Sequence, residues 1–295
     1  MKTITVVTAK KFFEPETVTP YIANILKEYE LLKLALEQRG VMVARTYWDD
    51  PNYDWSLPDA VLVRTVWDYF ERSNEFFNWM ARTAAVTTLI NPLPLMQWNS
   101  HKFYLRDLSE RGVRIVPTYF VNSNSAVSLR EIASETNWKH IVIKPAISAA
   151  AYHTYKISEA AMDGKEALFQ QLLTERDILV QEYQATITTM GEASLMVFNG
   201  KFTHAVLKKA KAGDFRVQDD FGGTVHPYEP TEAEIRFAEH ANAQCPVFPA
   251  YGRVDIVWDE EGSCYLSEME FLDPEIWLRN APYTAAALAS GVLAV

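Results

Sequence analysis

The first third of the chain alternates short apolar runs with an amphipathic segment, and this alternation restricts the fold more than any other feature. The runs at 3–9, 41–48 and 60–66 have the length and β-branched content of strands. Between the first two, residues 21–38 carry apolar side chains at helical spacing, and Gly40 follows them. Strand–helix–strand units of this length predict a parallel sheet covered by helices, so the expected fold class is α/β.

A helix from about Ser73 as N-cap, a strand at 86–91 and the turn formers NPLPL complete this unit, which predicts an N-terminal domain over 1–95. Ligands of such sheets bind beyond the carboxyl ends of the strands. Four candidate substrate residues lie at one of these ends: Arg64, Trp67, Asp68 and Tyr69. Arg64 could pair with a carboxylate and Asp68 with an amino group of an amino-acid-like ligand. A packed tryptophan beside a surface ion pair is an equally good interpretation.

The rest of the chain is expected to be α+β. Mixed helices and strands predict one lobe over 96–184. In the lobe over 185–295, Asn199-Gly200 between two alternating runs is the strongest short-range signal of a β-hairpin. RVDIVW and CYLSEMEF predict a second hairpin across Asp259–Ser263.

Three carboxylates interrupt the apolar strands of this second hairpin. Glu268 and Glu270 share one strand face because side chains alternate along a strand. A four-residue turn would place Asp255 opposite Glu268, and a turn one residue different would break that register. Neighbouring carboxylates repel one another unless a cation lies between them, and oxygen ligands without His or Cys suit magnesium better than zinc. A metal site and a solvated face explain this spacing about equally well.

Three cations could complement those carboxylates, although each alone is more often a surface residue. Lys144 ends an apolar strand, so its stem can stay buried while its ammonium group reaches a phosphate. Lys102 lies near a predicted helix start, and Arg216 lies in the glycine-containing loop GDFRVQDDFGG. Together, these cations and carboxylates would serve a nucleotide triphosphate with magnesium, and QEYQ at 181–184 would offer strand-end backbone to an adenine edge.

Composition restricts the partners. The net charge of −10 argues against nucleic acid and anionic membranes, which require a basic face. No apolar segment has the length needed to span a bilayer. Cys245 and Cys264 lie outside any metal-binding spacing and suit a reducing compartment, so a cytoplasmic protein is expected. A homodimer, a common homo-oligomer, is left open.

The ordered motifs resemble the ATP-grasp superfamily, and within it the glutathione-synthetase-like branch that includes the cycloserine-forming ligase. The resemblance covers about residues 60–275 and rests on NSHKF, VIKP, VQEY, the Gly-Glu pair at 191–192, LKKAKAGDFRVQ, RVDIV and SEMEFLDP. It implies the ATP-grasp fold, in which a parallel pre-ATP-grasp domain precedes two lobes that hold ATP between them.

The resemblance also implies a role for each matched residue. The expected ATP-binding residues are Lys102 and Lys144 at the phosphates, Gln181, Glu182 and Tyr183 at the adenine, and Glu192 in the nucleotide pocket. The expected metal ligands are Asp255, Glu268 and Glu270, with two magnesium ions and manganese as a substitute. The expected catalytic residues are Arg216, which neutralises the transferred phosphate or the acyl-phosphate, and Arg253, a weaker candidate that contacts phosphate or substrate.

Two positions depart from the pattern of the superfamily. The loop after Lys144 reads AISAAAYHT where glycines are common, and alanines restrict positive φ, so a different loop closure is expected. Glu270 stands where glutathione synthetases have asparagine, which argues against glutathione synthesis.

The implied function is an ADP-forming ligase that activates a small carboxylate as an acyl-phosphate for attack by an amine, on an amino-acid-like or peptide-like substrate. One alternative is an intramolecular cyclase of the cycloserine-forming type. The other is a non-catalytic ATP-binding or regulatory protein, which the alanine-rich loop favours and the retained carboxylates and Arg216 oppose.

Overall fold

A computed structural model describes residues 1–148, 152–217 and 222–294, and its first sheet is the predicted parallel one. The strands, in the order β2-β1-β3-β4, are β1 (Thr3–Thr8), β2 (Met42–Tyr47), β3 (Ala60–Val63) and β4 (Thr88–Ile90). The helices of this part are α1 (Pro20–Glu37) and α2 (Ser73–Ala84). Ser73 is the first helical residue and Arg72 occupies the N-cap, so the predicted cap was wrong by one position.

The second sheet is antiparallel and has the order β5-β8-β6-β7. Its strands are β5 (Thr118–Val121), β6 (His140–Pro145), β7 (Tyr155–Ser158) and β8 (Ile178–Glu182). The accompanying helices are α3 (Leu93–Ser100), α4 (Tyr104–Glu110), α5 (Leu129–Thr136) and α6 (Met162–Leu173). The helix whose start the sequence placed near Lys102 is α4, and α3 before it was not predicted. The chain turns at 101–103, so Lys102 lies between the two helices.

The third sheet is also antiparallel, in the order β11-β10-β9-β12-β13. Its strands are β9 (Glu192–Phe198), β10 (Lys201–Lys209), β11 (Thr224–Tyr228), β12 (Tyr251–Trp258) and β13 (Cys264–Glu270). The last helices are α7 (Glu232–Ala243) and α8 (Ala285–Leu293). Asn199 and Gly200 both have positive φ, as a two-residue type I′ hairpin turn requires.

The β12–β13 hairpin reaches the predicted pairing by a different route. Trp258 pairs with Cys264, so the connection has one residue more than the four that the prediction required. A β-bulge at Ser267 compensates for the extra residue and brings Asp255 opposite Glu268. The bulge also lets Leu266 and Met269 both point into the core, while Glu268 and Glu270 lie on the less buried face.

Each sheet lies within one of the ranges 1–95, 96–184 and 185–295, although these domain boundaries stay a prediction. The C-terminal helix packs back on the N-terminal unit, since Leu288 and Val292 share a core with Leu32 and Leu36 of α1. Within the described ranges, no helix combines the length and apolar character needed to cross a membrane.

Candidate active site

The three predicted carboxylates lie together on β12 and β13 and are surrounded by basic side chains. Asp255 is 2% exposed and accepts a hydrogen bond from Ser194 Oγ at 2.5 Å. Arg253 Nη2 lies 2.9 Å from Asp255 Oδ2, and Lys208 Nζ lies 3.3 Å from the same oxygen. Burial raises the pKa of Asp255, but the charges of Arg253 and Lys208 outweigh burial and lower it to about 2. The carboxylate is therefore ionised at neutral pH.

Glu268 is neutralised by the two lysines that the sequence assigned to phosphate. Its carboxylate pairs directly with Lys102, which is 8% exposed. Burial raises the pKa of Glu268, and the charges of Lys102 and Lys144 more than offset it, so the net shift is downward. Burial lowers the pKa of Lys144, and Lys102 adds to that effect against the charge of Glu268. The structure therefore brings both predicted phosphate-binding lysines to the predicted metal ligand.

Glu270 carries the strongest signature of crowded negative charge. It pairs with Arg253, whose Nη1 also lies 3.4 Å from the carbonyl oxygen of Glu275. Burial raises the pKa of Glu270 to about 7 despite Arg253, and the charges of Glu268 and Asp255 contribute to that rise. A divalent cation beside these carboxylates would relieve the repulsion.

The donor set fits magnesium in its chemistry, because all three candidate ligands are carboxylates. Among the residues that the structure describes, no group of three or more His, Cys, Asp or Glu is arranged to hold a metal ion. The carboxylates instead point to Lys102, Lys208 and Arg253. Those cations neutralise the negative charge that a bound magnesium ion would otherwise balance.

Lys208 is the main site residue that the sequence analysis missed. It is 5% exposed and bridges Asp255 to Glu192, which also accepts a hydrogen bond from Ser267 Oγ at 3.2 Å. The signal was the β9–β10 hairpin, whose register pairs Lys208 with Glu192. A bulge at Thr203 shifts that register by one residue, and the turn sequence alone does not reveal it.

The predicted adenine residues lie at the end of β8. Gln181 Nε2 donates to Thr118 Oγ1 at 2.9 Å, and the backbone N–H of Glu182 donates to the Pro117 carbonyl. Lys156 Nζ stands 3.5 Å from the centre of the Tyr183 ring. These contacts fix the backbone and side chains at the end of β8, in the second sheet.

Arg216 lies near the end of β8, and its described ion pair is with Asp214 and not with the three carboxylates. Its guanidinium forms an ion pair with Asp214, with Nη2 at 2.7 Å from Oδ2. The adjacent Phe215 ring lies 6.2 Å from the Tyr183 ring, edge to face. Residues 149–151 of the alanine-rich stretch and 218–221 of the Arg216 loop lie outside the described residues.

The four candidate substrate residues have different partners. Arg64 Nη1 donates to the Pro274 carbonyl at 2.7 Å, and Trp67 Nε1 donates to the Asp273 carbonyl at 3.2 Å, so both face the loop after β13. Asp68 accepts a hydrogen bond from Trp48 Nε1 at 3.1 Å. Burial raises the pKa of Tyr69, as do the nearby charges of Glu270, Asp273 and Glu268, in that order.

Comparisons with known proteins show what this chain is similar to. The family model of the N-terminal domain of the D-cycloserine synthetase DcsG matches residues 4–91. The chain is similar to the cycloserine biosynthesis protein DcsG of Streptomyces lavendulae, with 28% identity over 257 residues that cover 80% of this chain and 83% of the relative.

Two solved structures extend the comparison. The crystal structure of D-cycloserine synthetase DcsG is similar with a TM-score of 0.85 and 26% identity over 98% of both chains. The ATP-grasp ligase PsnB, solved with a precursor variant, Mg and ADP, has a TM-score of 0.64 at 14% identity, covering 100% of this chain and 98% of its own, which supports the fold alone. The predicted ATP-grasp fold and the resemblance to the cycloserine-forming ligase are confirmed. The chain is an enzyme of the ATP-dependent ligase class.

Proposed function

We propose that this ATP-grasp ligase transfers the γ-phosphate of ATP to the carboxylate of a small amino-acid-like molecule and joins the activated carbonyl carbon to an amine. The observation that supports the proposal is the buried cluster in which three carboxylates alternate with basic side chains from three sheet strands and a helix junction. The cations of this cluster are Lys102, Lys144, Lys208 and Arg253.

The proposed reaction requires charged side chains at defined positions around the phosphates. Magnesium, when bound, neutralises phosphate oxygens and polarises the transferred group, and Asp255, Glu268 and Glu270 would hold it. We propose two ions, with manganese as a substitute. Lys102 and Lys144 bind the phosphates, since an anion can replace Glu268 as their partner.

Arg253 and Arg216 are proposed to stabilise charge that develops during transfer. Arg253 is already held by Asp255 and Glu270, so its guanidinium needs little reorganisation when the reaction occurs. Arg216 follows Phe215, whose ring faces Tyr183 at 6.2 Å between ring centres, so it lies beside the proposed adenine residues. Glu192 positions Lys208, while Gln181, Glu182 and Tyr183 bind the adenine.

A second candidate is intramolecular closure, in which an amine of the activated molecule displaces phosphate from its own acyl-phosphate. The similarity to the D-cycloserine synthetase over nearly the whole chain favours this reaction. The two reactions differ in mass balance: cyclisation yields the substrate less one water, and ligation yields the sum of two substrates less one water.

The test is ADP release from Mg-ATP in the presence of small carboxylates, with and without hydroxylamine, followed by mass spectrometry. Hydroxylamine converts an acyl-phosphate to a hydroxamate and so reports activation even when the natural amine is missing. ADP with a hydroxamate supports activation of the carboxylate, which both reactions share. A product that joins two substrates supports the ligase, and a dehydrated single substrate supports the cyclase. ATP binding without ADP release for any carboxylate would contradict both and favour a nucleotide-binding protein. A cytoplasmic location and a homodimer stay predictions, the latter testable by light scattering.

A further inference from the structure

A histidine and an aspartate form a pair directly beside Lys102. His101 Nε2 lies 3.1 Å from Asp177 Oδ2, and the two side chains are 33% and 27% exposed. His101 is the C-cap of α3 and precedes Lys102 in the chain, whereas Asp177 directly precedes β8 of the second sheet. The pair therefore joins the turn that carries Lys102 to the sheet that carries Lys144. We call it the His101–Asp177 pair.

The contacts of His101 define which ring nitrogen carries the proton. Nδ1 accepts a hydrogen bond from the backbone N–H of Phe103 at 3.4 Å, so in the neutral ring the proton lies on Nε2. Nε2 then donates to Asp177. The Phe103 ring stands edge to face with the imidazole, with ring centres 4.7 Å apart. The imidazole is thus held at both nitrogens and by an aromatic neighbour.

Asp177 connects three segments of the chain. Its Oδ1 accepts a hydrogen bond from the backbone N–H of Ser123, after β5, at 2.7 Å. Its backbone carbonyl accepts a hydrogen bond from the N–H of Ala146, directly after β6, at 2.8 Å. One carboxylate oxygen thus serves Ser123 and the other serves His101. An asparagine could not reproduce both bonds at those positions, because its amide nitrogen is a donor.

Ala146 completes the connection between the two proposed phosphate-binding lysines. Its carbonyl oxygen accepts a hydrogen bond from the backbone N–H of Lys102 at 2.7 Å, and its own N–H is held by Asp177. Ala146 also follows Lys144 by two residues. A continuous set of contacts therefore runs from His101 through Asp177 and Ala146 to Lys102. It fixes the backbone of Lys102 relative to that of Lys144.

The relative position of these lysines matters because both act on one carboxylate. Lys102 pairs directly with Glu268, and the charges of Lys102 and Lys144 together stabilise its ionised form. If phosphate oxygens take the place of Glu268, the two ammonium groups must match the spacing of those oxygens. A small displacement of Lys102 would then weaken phosphate binding although its charge is retained.

We propose that the His101–Asp177 pair is a positioning device that holds Lys102 where it can bind the phosphates of ATP together with Lys144. The proposal deepens the proposed function, because it rests on the assignment of both lysines to phosphate. His101 and Asp177 act through Lys102 and need no contact with the nucleotide. By restricting the turn at 101–103 before ATP arrives, the pair lowers the ordering cost of binding.

The test is binding of Mg-ATP to the full chain, measured by calorimetry. His101→Ala should weaken binding about 3- to 10-fold, less than a fully buried charge-assisted hydrogen bond would give, because the pair is partly exposed. His101→Gln should restore most of the affinity, since its amide nitrogen can donate where Nε2 did. Asp163→Asn is the matched control, because it removes a carboxylate from an exposed ion pair with Arg130, and its affinity should be unchanged. Equal binding by His101→Ala and the control would overturn the proposal.

A double-mutant cycle separates positioning from a merely structural role. Lys102→Met removes the ammonium group and leaves Lys144 to bind phosphate. In that background, His101→Ala should change the affinity for Mg-ATP by less than about twofold, since the histidine acts through Lys102. A loss as large as that in the native chain would show that His101 acts through the fold, and the proposal would be wrong.

A second variant keeps the test valid if His101→Ala does not fold or if Lys102→Met binds too weakly. Asp177→Asn should reproduce the loss in His101→Ala, and the two changes together should cost no more than either alone, because both break one hydrogen bond. Additive losses would contradict the pair. Loss of Mg-ATP affinity in this pattern without ADP release for any carboxylate would refute only the proposed ligase reaction. ADP release by a chain whose variants bind Mg-ATP like the control would refute only the role of the pair.

Discussion

The contribution of Lys208 to the stability of the fold tests whether its ammonium group neutralises Glu192 and Asp255 in the absence of nucleotide. Its ammonium group is buried between Glu192 and Asp255, and it is the one cation that contacts both in the described residues. In the variant Lys208→Met, an apolar side chain of similar length replaces the ammonium group. Both carboxylates then lose a partner in a place where water cannot replace it.

The expected loss of stability follows from what each carboxylate retains. Removing one partner of a buried ion pair costs about 3–5 kcal/mol, because the other charge is left uncompensated. Asp255 keeps Arg253 and the Ser194 hydroxyl, so the loss falls mainly on Glu192, which keeps only the Ser267 hydroxyl among its contacts described above. We therefore expect about 3 kcal/mol, equivalent to a decrease in Tm of roughly 6 °C for a chain of this size.

Thermal unfolding monitored by circular dichroism would measure this loss. Lys209→Met is the matched control, because that neighbouring lysine is exposed on the opposite strand face. The double variant Lys208→Met with Glu192→Leu should recover stability relative to Lys208→Met alone, since no charge is then left unpaired. If Lys208→Met melts at the same temperature as Lys209→Met, or if the double variant is the less stable one, the reasoning is refuted.

Three further predictions concern the proposed metal ligand Glu268, the proposed catalytic residue Arg216 and the buried carboxyl group of Asp273. Glu268→Gln should lower ADP release at least about 100-fold at saturating magnesium while preserving the fold, and full turnover would remove Glu268 from the metal site. Arg216→Ala should lower kcat more than it weakens ATP binding, and an equal effect on both would assign Arg216 to ground-state binding alone. Burial raises the pKa of Asp273 to about 6, so its ionisation costs stability as the pH rises from about 4 to 6. From pH 4 to pH 7 the unfolding free energy of the native chain should therefore fall by up to about 3 kcal/mol relative to that of Asp273→Asn. Urea denaturation at both pH values measures this change, and a constant difference between the two proteins would contradict the raised pKa.

The elements that local chemistry specifies were predictable from the sequence. The helix predicted over 21–38 has a helical periodicity, and the structure has it as Pro20–Glu37. The run predicted as a strand over 60–66 is short and continuously apolar, and its strand ends at Val63. The Asn199-Gly200 turn needs two residues of positive φ, and these two residue types tolerate it. The strand β7 was missed because four residues with a lysine in the middle resemble the start of the following helix.

The pairing of Asp255 with Glu268 shows where such reasoning reaches its limit. The prediction assumed a four-residue turn, and the chain has a longer connection corrected by a bulge at Ser267. Both routes give the same pair, so the conclusion was right although its premise was wrong. A bulge at Thr203 similarly hid the pairing of Lys208 with Glu192. Bulges depend on packing between strands, so the sequence of either strand alone does not predict them.

The loop after β13 explains why the carboxylates and the end of the parallel sheet keep a fixed relation. Asp273 accepts hydrogen bonds from the backbone N–H groups of Thr65 and Val66, so this loop is bound to the end of the parallel sheet. Two residues later, the Glu275 carbonyl meets Arg253, and Arg279 then reaches Glu28 on α1. One short segment thus contacts the end of β3, the arginine of the reaction centre and α1. Because its carboxylate and backbone contacts are largely buried, the segment resists displacement, and the carboxylates on β12 and β13 stay at a fixed position relative to the end of β3.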